Sequence, residues 1–266
     1  MQAPKPVILV PTMGALHRGH AALLRKGRRL AGPSGTLVAS IFVNPAQFGP
    51  KEDLTRYPRP FARDQRLCRE EEVDLLFAPQ PEAMYGPDFS TWVEETVVSQ
   101  PLCGASRPGH FRGVCTVVLK LFLLSQPTHA IFGKKDFQQC AVIARMVRDL
   151  NLPLRLVFEE TVREPDGLAL SSRNAYLQPE ERAQAVVLSE ALREARQAFR
   201  DRRVSTGAAL RRLLQKRIAS APLARIDYLE VVDASTLQPV QKLAPGNVMA
   251  LAVFFGRTRL IDNLTL

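Results

Sequence analysis

Five short apolar runs, at residues 7–10, 36–43, 73–77, 128–132 and 154–158, punctuate the first two-thirds of the chain. Each is nearly continuous rather than alternating, as expected of strands covered on both faces. Stretches with helical spacing separate them, at 19–30, 60–72, 114–124 and 136–150. Strands of this kind interleaved with helices predict an α/β fold, a doubly wound parallel sheet with helices on both sides. After Pro179 the pattern changes. Leu188, Leu192, Ala195 and Phe199 recur at three to four residues and predict an amphipathic helix with Pro179 in its first turn. A second helix is expected around Leu210 to Ile218, and strands at 225–232 and 247–255. This last third reads as a smaller α+β module, with the boundary near Thr161, so that 1–161 and 162–266 form two domains.

Composition narrows the class. With 266 residues and 46% apolar side chains the chain can bury a sizeable core. The net charge of +10 favours anionic partners, and residues 173–225 concentrate the excess, with 12 Lys/Arg against 5 Asp/Glu. A nucleic-acid platform would interleave aromatics with those cations, but the basic stretch from Arg193 to Arg217 holds only Phe199. Cys68, Cys103, Cys115 and Cys140 show no CxxC spacing and read as reduced core residues of a cytoplasmic protein. The segment before Val7 is too short and Pro-rich for a signal peptide, and residues 114–124 are too short to span a bilayer.

The sharpest chemical signal runs from Pro11 to His20, between the first expected strand and the first helix. A helix N-terminus offers free N–H groups and a positive dipole end, which suit phosphate. His17 and His20 place two imidazoles near that end, and Gly19 lets a nucleotide approach the backbone. This H-x-G-H pattern resembles the signature of nucleotidyltransferases and class I aminoacyl-tRNA synthetases. Gly133, Lys135, Asp136 and Gln139 lie at another strand-to-helix junction, where Gly133 and Asp136 suit a ribose and Lys135 a phosphate. Asn44 and Gln47 follow the second strand as an amide pair suited to hydroxyls or a carboxylate, and Ser171, Ser172 and Arg173 make a loop able to clamp phosphates. An enzyme acting on a phosphorylated alcohol is the alternative consistent with H-x-G-H alone.

Taken together the blocks resemble the pantoate–β-alanine ligase family. Val10 through His20, Phe42 to Pro45 with Gln47, Asp53 and Tyr57-Pro58-Arg59, Arg107 through Val114, Lys135-Asp136 with Gln138-Gln139, Asp166 through Asn174, and Leu260 to Asn263 carry the likeness. The resemblance implies a Rossmann-like N-terminal domain, a smaller C-terminal lid and a homodimer. It implies ATP-dependent condensation of pantoate with β-alanine through a pantoyl adenylate, releasing AMP and diphosphate. His17, His20 and Lys135 would be catalytic. Met13, Gly14, Gly133, Asp136, Val162, Leu170, Ser171, Ser172 and Arg173 would bind ATP, together with His20 and Lys135. Gln47, Gln139 and Asn44 would bind pantoate, and Arg107 and His110 would line the site mouth or a dimer-proximal loop. Mg²⁺ would accompany ATP, aided through water by Asp64.

Overall fold

The computed structural model describes residues 5–50 and 52–266; the expectation for the first four residues of the chain lies outside them. Five parallel strands form the first sheet: β1 (Val7–Thr12), β2 (Thr36–Ile41), β3 (Leu75–Phe77), β4 (His129–Gly133) and β5 (Arg155–Glu159), in the order β3-β2-β1-β4-β5. The helices between them are α1 (Arg18–Ala31), α2 (Phe61–Glu70), short α3 (Pro81–Met84) and α4 (Cys103–Ser106), α5 (His110–Ser125) and α6 (Phe137–Asp149). Ile8 and Val10 of β1 pack with Leu24 of α1, while Val7 and Leu9 face the core shared with α5 and α6. Burial on both sides accounts for the unbroken apolar runs. Leu24 has no solvent exposure, and its burial alone is worth about 2 kcal/mol.

Chain order reverses between β1 and β4. Ligands of such sheets bind in the crevice at the carboxyl ends of the strands flanking the reversal. His17 follows β1 and Lys135 follows β4, so the topology brings the two to one crevice.

The last third holds α7 (Pro179–Ala185), α8 (Val187–Arg200), α9 (Gly207–Ile218) and an antiparallel sheet of β6 (Ala224–Val232), β7 (Val248–Phe255) and β8 (Thr258–Thr265). Central β7 is buried on both faces. Met249, Leu251 and Val253 pack with α8 and α9, whereas Val248 and Ala250 join the core of the first sheet. Two features differ from the sequence reading. The helix after Pro179 is broken at Val186 into α7 and α8, and β8 was not expected as a strand. Its hairpin turns on Gly256-Arg257, with Phe255 opposite Thr258 and Gly256 at φ 56°. A glycine at the first central position of a two-residue loop is the available signal.

α5 begins at His110, earlier than its apolar run, and approaches the 3-10 turn Pro45–Gln47 closely. A Cβ on Gly113 would lie 2.3 Å from the Ala46 carbonyl oxygen. The obstacle is backbone, so Gly113→Ala is expected to destabilise the fold by about 1–3 kcal/mol. A thermal melt tests this, and an unchanged midpoint contradicts the close approach.

Candidate active site

α1 starts with two imidazoles that cap the helix reciprocally. His17 is the N-cap, and its Nδ1 accepts from the Gly19 amide at 3.1 Å. His20 Nδ1 accepts from the His17 amide at 3.3 Å. An Nδ1 that accepts carries no proton, so each neutral ring has its hydrogen on Nε2. The two rings lie 4.1 Å apart between centroids. Burial, then the positive charge of Lys135, pushes His17 down from 6.5 to about 4. Burial, then neighbouring His17 and Lys135, takes His20 down to about 3. At neutral pH both therefore offer Nε2–H donors rather than charges.

The loop before them is held from below. Asp64, in the first turn of α2, accepts from the Ala15 and Leu16 amides, both at 2.8 Å. It is 1% exposed. Burial raises its carboxyl, and the two amide bonds only partly offset that. Each of its oxygens takes one backbone amide, and it braces the loop that presents the histidines. Gly14 also lies behind the loop surface, its amide bonded to Thr12 Oγ1 at 3.1 Å.

Asn44 is held on all sides. It lines the crevice, but its Nδ2 donates to Gln47 Oε1 and the Gly113 carbonyl, each at 3.1 Å. Its Oδ1 accepts from Tyr85 at 2.7 Å and the Ala46 amide at 3.3 Å. Its two hydrogens and two lone pairs are thus engaged within the protein, and one of these bonds holds Gln47. Gln47 Nε2 spends one hydrogen on Met13 Sδ at 3.1 Å and keeps the other. His110 Nδ1 donates to the Gln47 carbonyl at 2.8 Å, so its Nε2 accepts from Arg107 at 3.0 Å. Burial, then the Arg107 charge, holds His110 near 3, neutral and with the opposite proton placement to His17 and His20.

Met13, His17, His20, Gln47, Gly133, Lys135, Asp136, Gln139, Val162, Leu170, Ser171, Ser172 and Arg173 line one cavity of about 220 Å³. Val114, Val117, Val118 and Leu121 of α5 form its apolar wall. A larger cavity of about 520 Å³ shares Arg107, His110, Lys135, Asp136, Gln139, Ser171 and Arg173. Gln138, next to Gln139, is buried and instead pins the chain at Val98, Pro101 and Cys103.

The sequence reading assigned no role to the pairs at the mouth. Asp53 meets Arg173 with two bonds of 2.9 and 3.0 Å. Burial alone would raise the Asp53 carboxyl, but Arg173 outweighs it and leaves Asp53 below its ordinary value. Glu52 pairs likewise with Arg107, and Tyr57 meets Ser172 Oγ at 3.2 Å. Adjacent acids in a polar loop gave no hint of partners so far along the chain. Among the described residues no group of three or more His, Cys, Asp or Glu is disposed to hold a metal, and no helix is long and apolar enough to cross a membrane.

The depressed histidines have a consequence for acid stability. The unfolded chain takes up protons near 6.5 that the folded chain refuses down to about 4. Their contribution is full above the unfolded value and is lost as pH falls toward the folded one. His17→Asn keeps an acceptor for the Gly19 amide but removes the ring. Denaturant midpoints at about pH 7 and about pH 5 are expected to differ less for this variant than for the parent. An equal drop contradicts the buried neutral ring.

The chain resembles known proteins over nearly its whole length. The family model described as pantoate-beta-alanine ligase matches residues 1–265. A pantothenate synthetase of Akkermansia muciniphila is 54% identical over 98% of this chain and 92% of its own length. One from Thermotoga neapolitana is 50% identical over 98% and 92%. The crystal structure of pantothenate synthetase from Thermus thermophilus superposes with a TM-score of 0.93 at 49% identity, covering 98% of this chain and 93% of that one. The Francisella tularensis pantoate-beta-alanine ligase, solved with beta-gamma ATP and beta-alanine, has a TM-score of 0.80 at 33% identity, covering 97% and 89%. Paired imidazoles at the sheet's reversal, and likeness over nearly the whole chain, lead to one assignment: the chain belongs to the pantoate-beta-alanine ligase family.

Proposed function

We propose that this crevice adenylates pantoate and then passes the activated acyl group to β-alanine. The overall reaction of the chain is ATP-dependent ligation of pantoate with β-alanine. In the first step a pantoate carboxylate oxygen attacks the α-phosphorus and diphosphate leaves. In the second the β-alanine amine attacks the acyl carbon, loses a proton and expels AMP. A free carboxylate is a poor electrophile, and adenylation supplies the leaving group. The protein's part is to position reactants and stabilise developing charge.

The observation that carries the reading is the corner where the His17 and His20 rings, capping the start of α1, share a cavity with Lys135. Their Nε2–H groups and the lysine would stabilise charge on the phosphate under attack. Gly133 and Asp136 would hold the ribose, and Met13, Val162 and Leu170 would pack around the nucleotide. Ser171, Ser172 and Arg173 would close on the outer phosphates, Arg173 using N–H groups not given to Asp53. Gln47 and Gln139 would bind pantoate, whose two methyl groups suit the apolar wall of α5. Mg²⁺ would accompany ATP and neutralise phosphate charge there.

Three further points belong to this reading. The division of the chain at Thr161 is supported by the end of the parallel sheet at Glu159. Exposed Leu75, Leu123 and Leu124 leave apolar surface that supports a homodimer. Four free, buried cysteines suit the cytoplasm.

The test is diphosphate release. It should require ATP and pantoate but not β-alanine, with pantothenate appearing only when β-alanine is added. Lys135→Ala is expected to cost about 2–4 kcal/mol in the first step. Gln139→Ala is expected to raise the KM for pantoate, as for a residue reading a polar substrate. Near-normal turnover of the lysine variant, or diphosphate release that ignores pantoate, contradicts the proposal.

A further inference from the structure

The end of the chain reaches back to the catalytic crevice. Asn263 lies on edge strand β8, opposite Ala250 of β7. Its Nδ2 donates to the carbonyl oxygens of Lys134 and Lys135, both at 2.9 Å. One amide nitrogen carries two hydrogens, so the two bonds use them fully. These carbonyls belong to the 3-10 turn Lys134–Asp136, which has no side-chain cap of its own. The neighbour, Asp262, is buried and grips Arg163 with bonds of 2.6 and 2.8 Å. Arg163 also bonds the Gly167 carbonyl at 3.1 Å and pairs with Ala169, in the hairpin that leads to Ser171. Two consecutive residues of β8 therefore hold both walls of the crevice, the lysine turn and the approach to the phosphate loop.

Holding the root of Lys135 matters because its tip is loosely held. Its Nζ comes only within 3.7 Å of Asp136 Oδ1. A lysine is a point charge on a flexible stem, and confining it carries an entropic cost. Fixing two successive peptide planes sets the direction in which the side chain leaves the backbone, which narrows the search for the phosphate.

We propose that Asn263 is a positioning residue for Lys135, so that docking of the C-terminal sheet against the first domain completes the phosphate-binding corner. This rests on the reading of Lys135 as a group that contacts the reacting phosphate. Asn263 lies at the larger cavity but gives both Nδ2 hydrogens to the two carbonyls, so its action runs through the lysine's main chain.

A double-mutant cycle on the full chain tests the idea, with single-turnover diphosphate release from ATP and pantoate as the readout. Asn263→Ala is expected to slow this step about 10- to 100-fold, in keeping with the sensitivity of such chemistry to small misplacements. The KM for pantoate should stay unchanged, because Gln47 and Gln139 are not moved. In the Lys135→Ala background the same substitution should add little further loss, since residues acting as one unit are non-additive. Asn263→Ser, able to serve only one carbonyl, should fall between, and it carries the test if the alanine variant fails to fold. A purely structural loss would lower the active fraction by the same factor in both backgrounds, and that result overturns the proposal. Parent-like rates for Asn263→Ala beside an impaired Lys135→Ala overturn it too, while leaving the wider reading of Lys135 intact. A near-normal Lys135→Ala removes that reading and this inference with it.

Discussion

Two imidazoles accepting from backbone amides at the start of a helix organise this crevice. Helix N-termini leave amides without partners, and usually Ser, Thr, Asp or Asn serves them. Here the Nδ1 atoms of His17 and His20 do so instead. The local need of the backbone thus dictates the protonation of both rings, and their Nε2 hydrogens become the free donors. Asp64 sustains the arrangement by bracing the preceding loop through two amides. Helix capping and ring orientation are one set of hydrogen bonds seen from different sides.

Around that corner the remaining groups come from distant parts of the chain, each held by a partner. Arg173 is paired with Asp53 and Arg107 with Glu52, while Lys135 is rooted by Asn263. The apolar contact between the two sheets runs through Val232, Leu237, Val248 and Ala250. Large apolar contacts resist independent domain motion. The C-terminal module is therefore as much a wall of the site as a cover for it. Some of the basic residues of α8 and α9 meet acids on the outer surface, Arg211 pairing with Glu230 and Arg217 with Glu190 and Glu194. Exposed pairs of this kind contribute little to stability.

Much of this was legible before any coordinates. The parallel strands are visible because burial on both faces demands unbroken apolar runs, and H-x-G-H because strand, loop and helix follow in immediate succession. Gln139 could be singled out from its helix position, in the first turn of α6, and it lines the cavity. What escaped notice has a common cause. Asn44 and Asp64 look like ligand-binding residues by type, yet both also hold backbone and neighbours in place, and such partners are not written in a residue's identity. Asp53 and Asn263 find partners 120 and 128 residues away, beyond any periodicity. β8 was obscured because charged Arg259 and Asp262 interrupt its alternation, one bonded to Asp227 and the other to Arg163.

The central claim is that backbone capping fixes both imidazoles as neutral rings protonated on Nε2. Nitrogen-15 NMR of the histidine side chains reads this directly. His17 and His20 should each show a protonated Nε2 and an unprotonated, hydrogen-bonded Nδ1, unchanged from neutral pH to well below their ordinary value of 6.5. Rings that titrate near that value, or that carry the proton on Nδ1, would contradict the account.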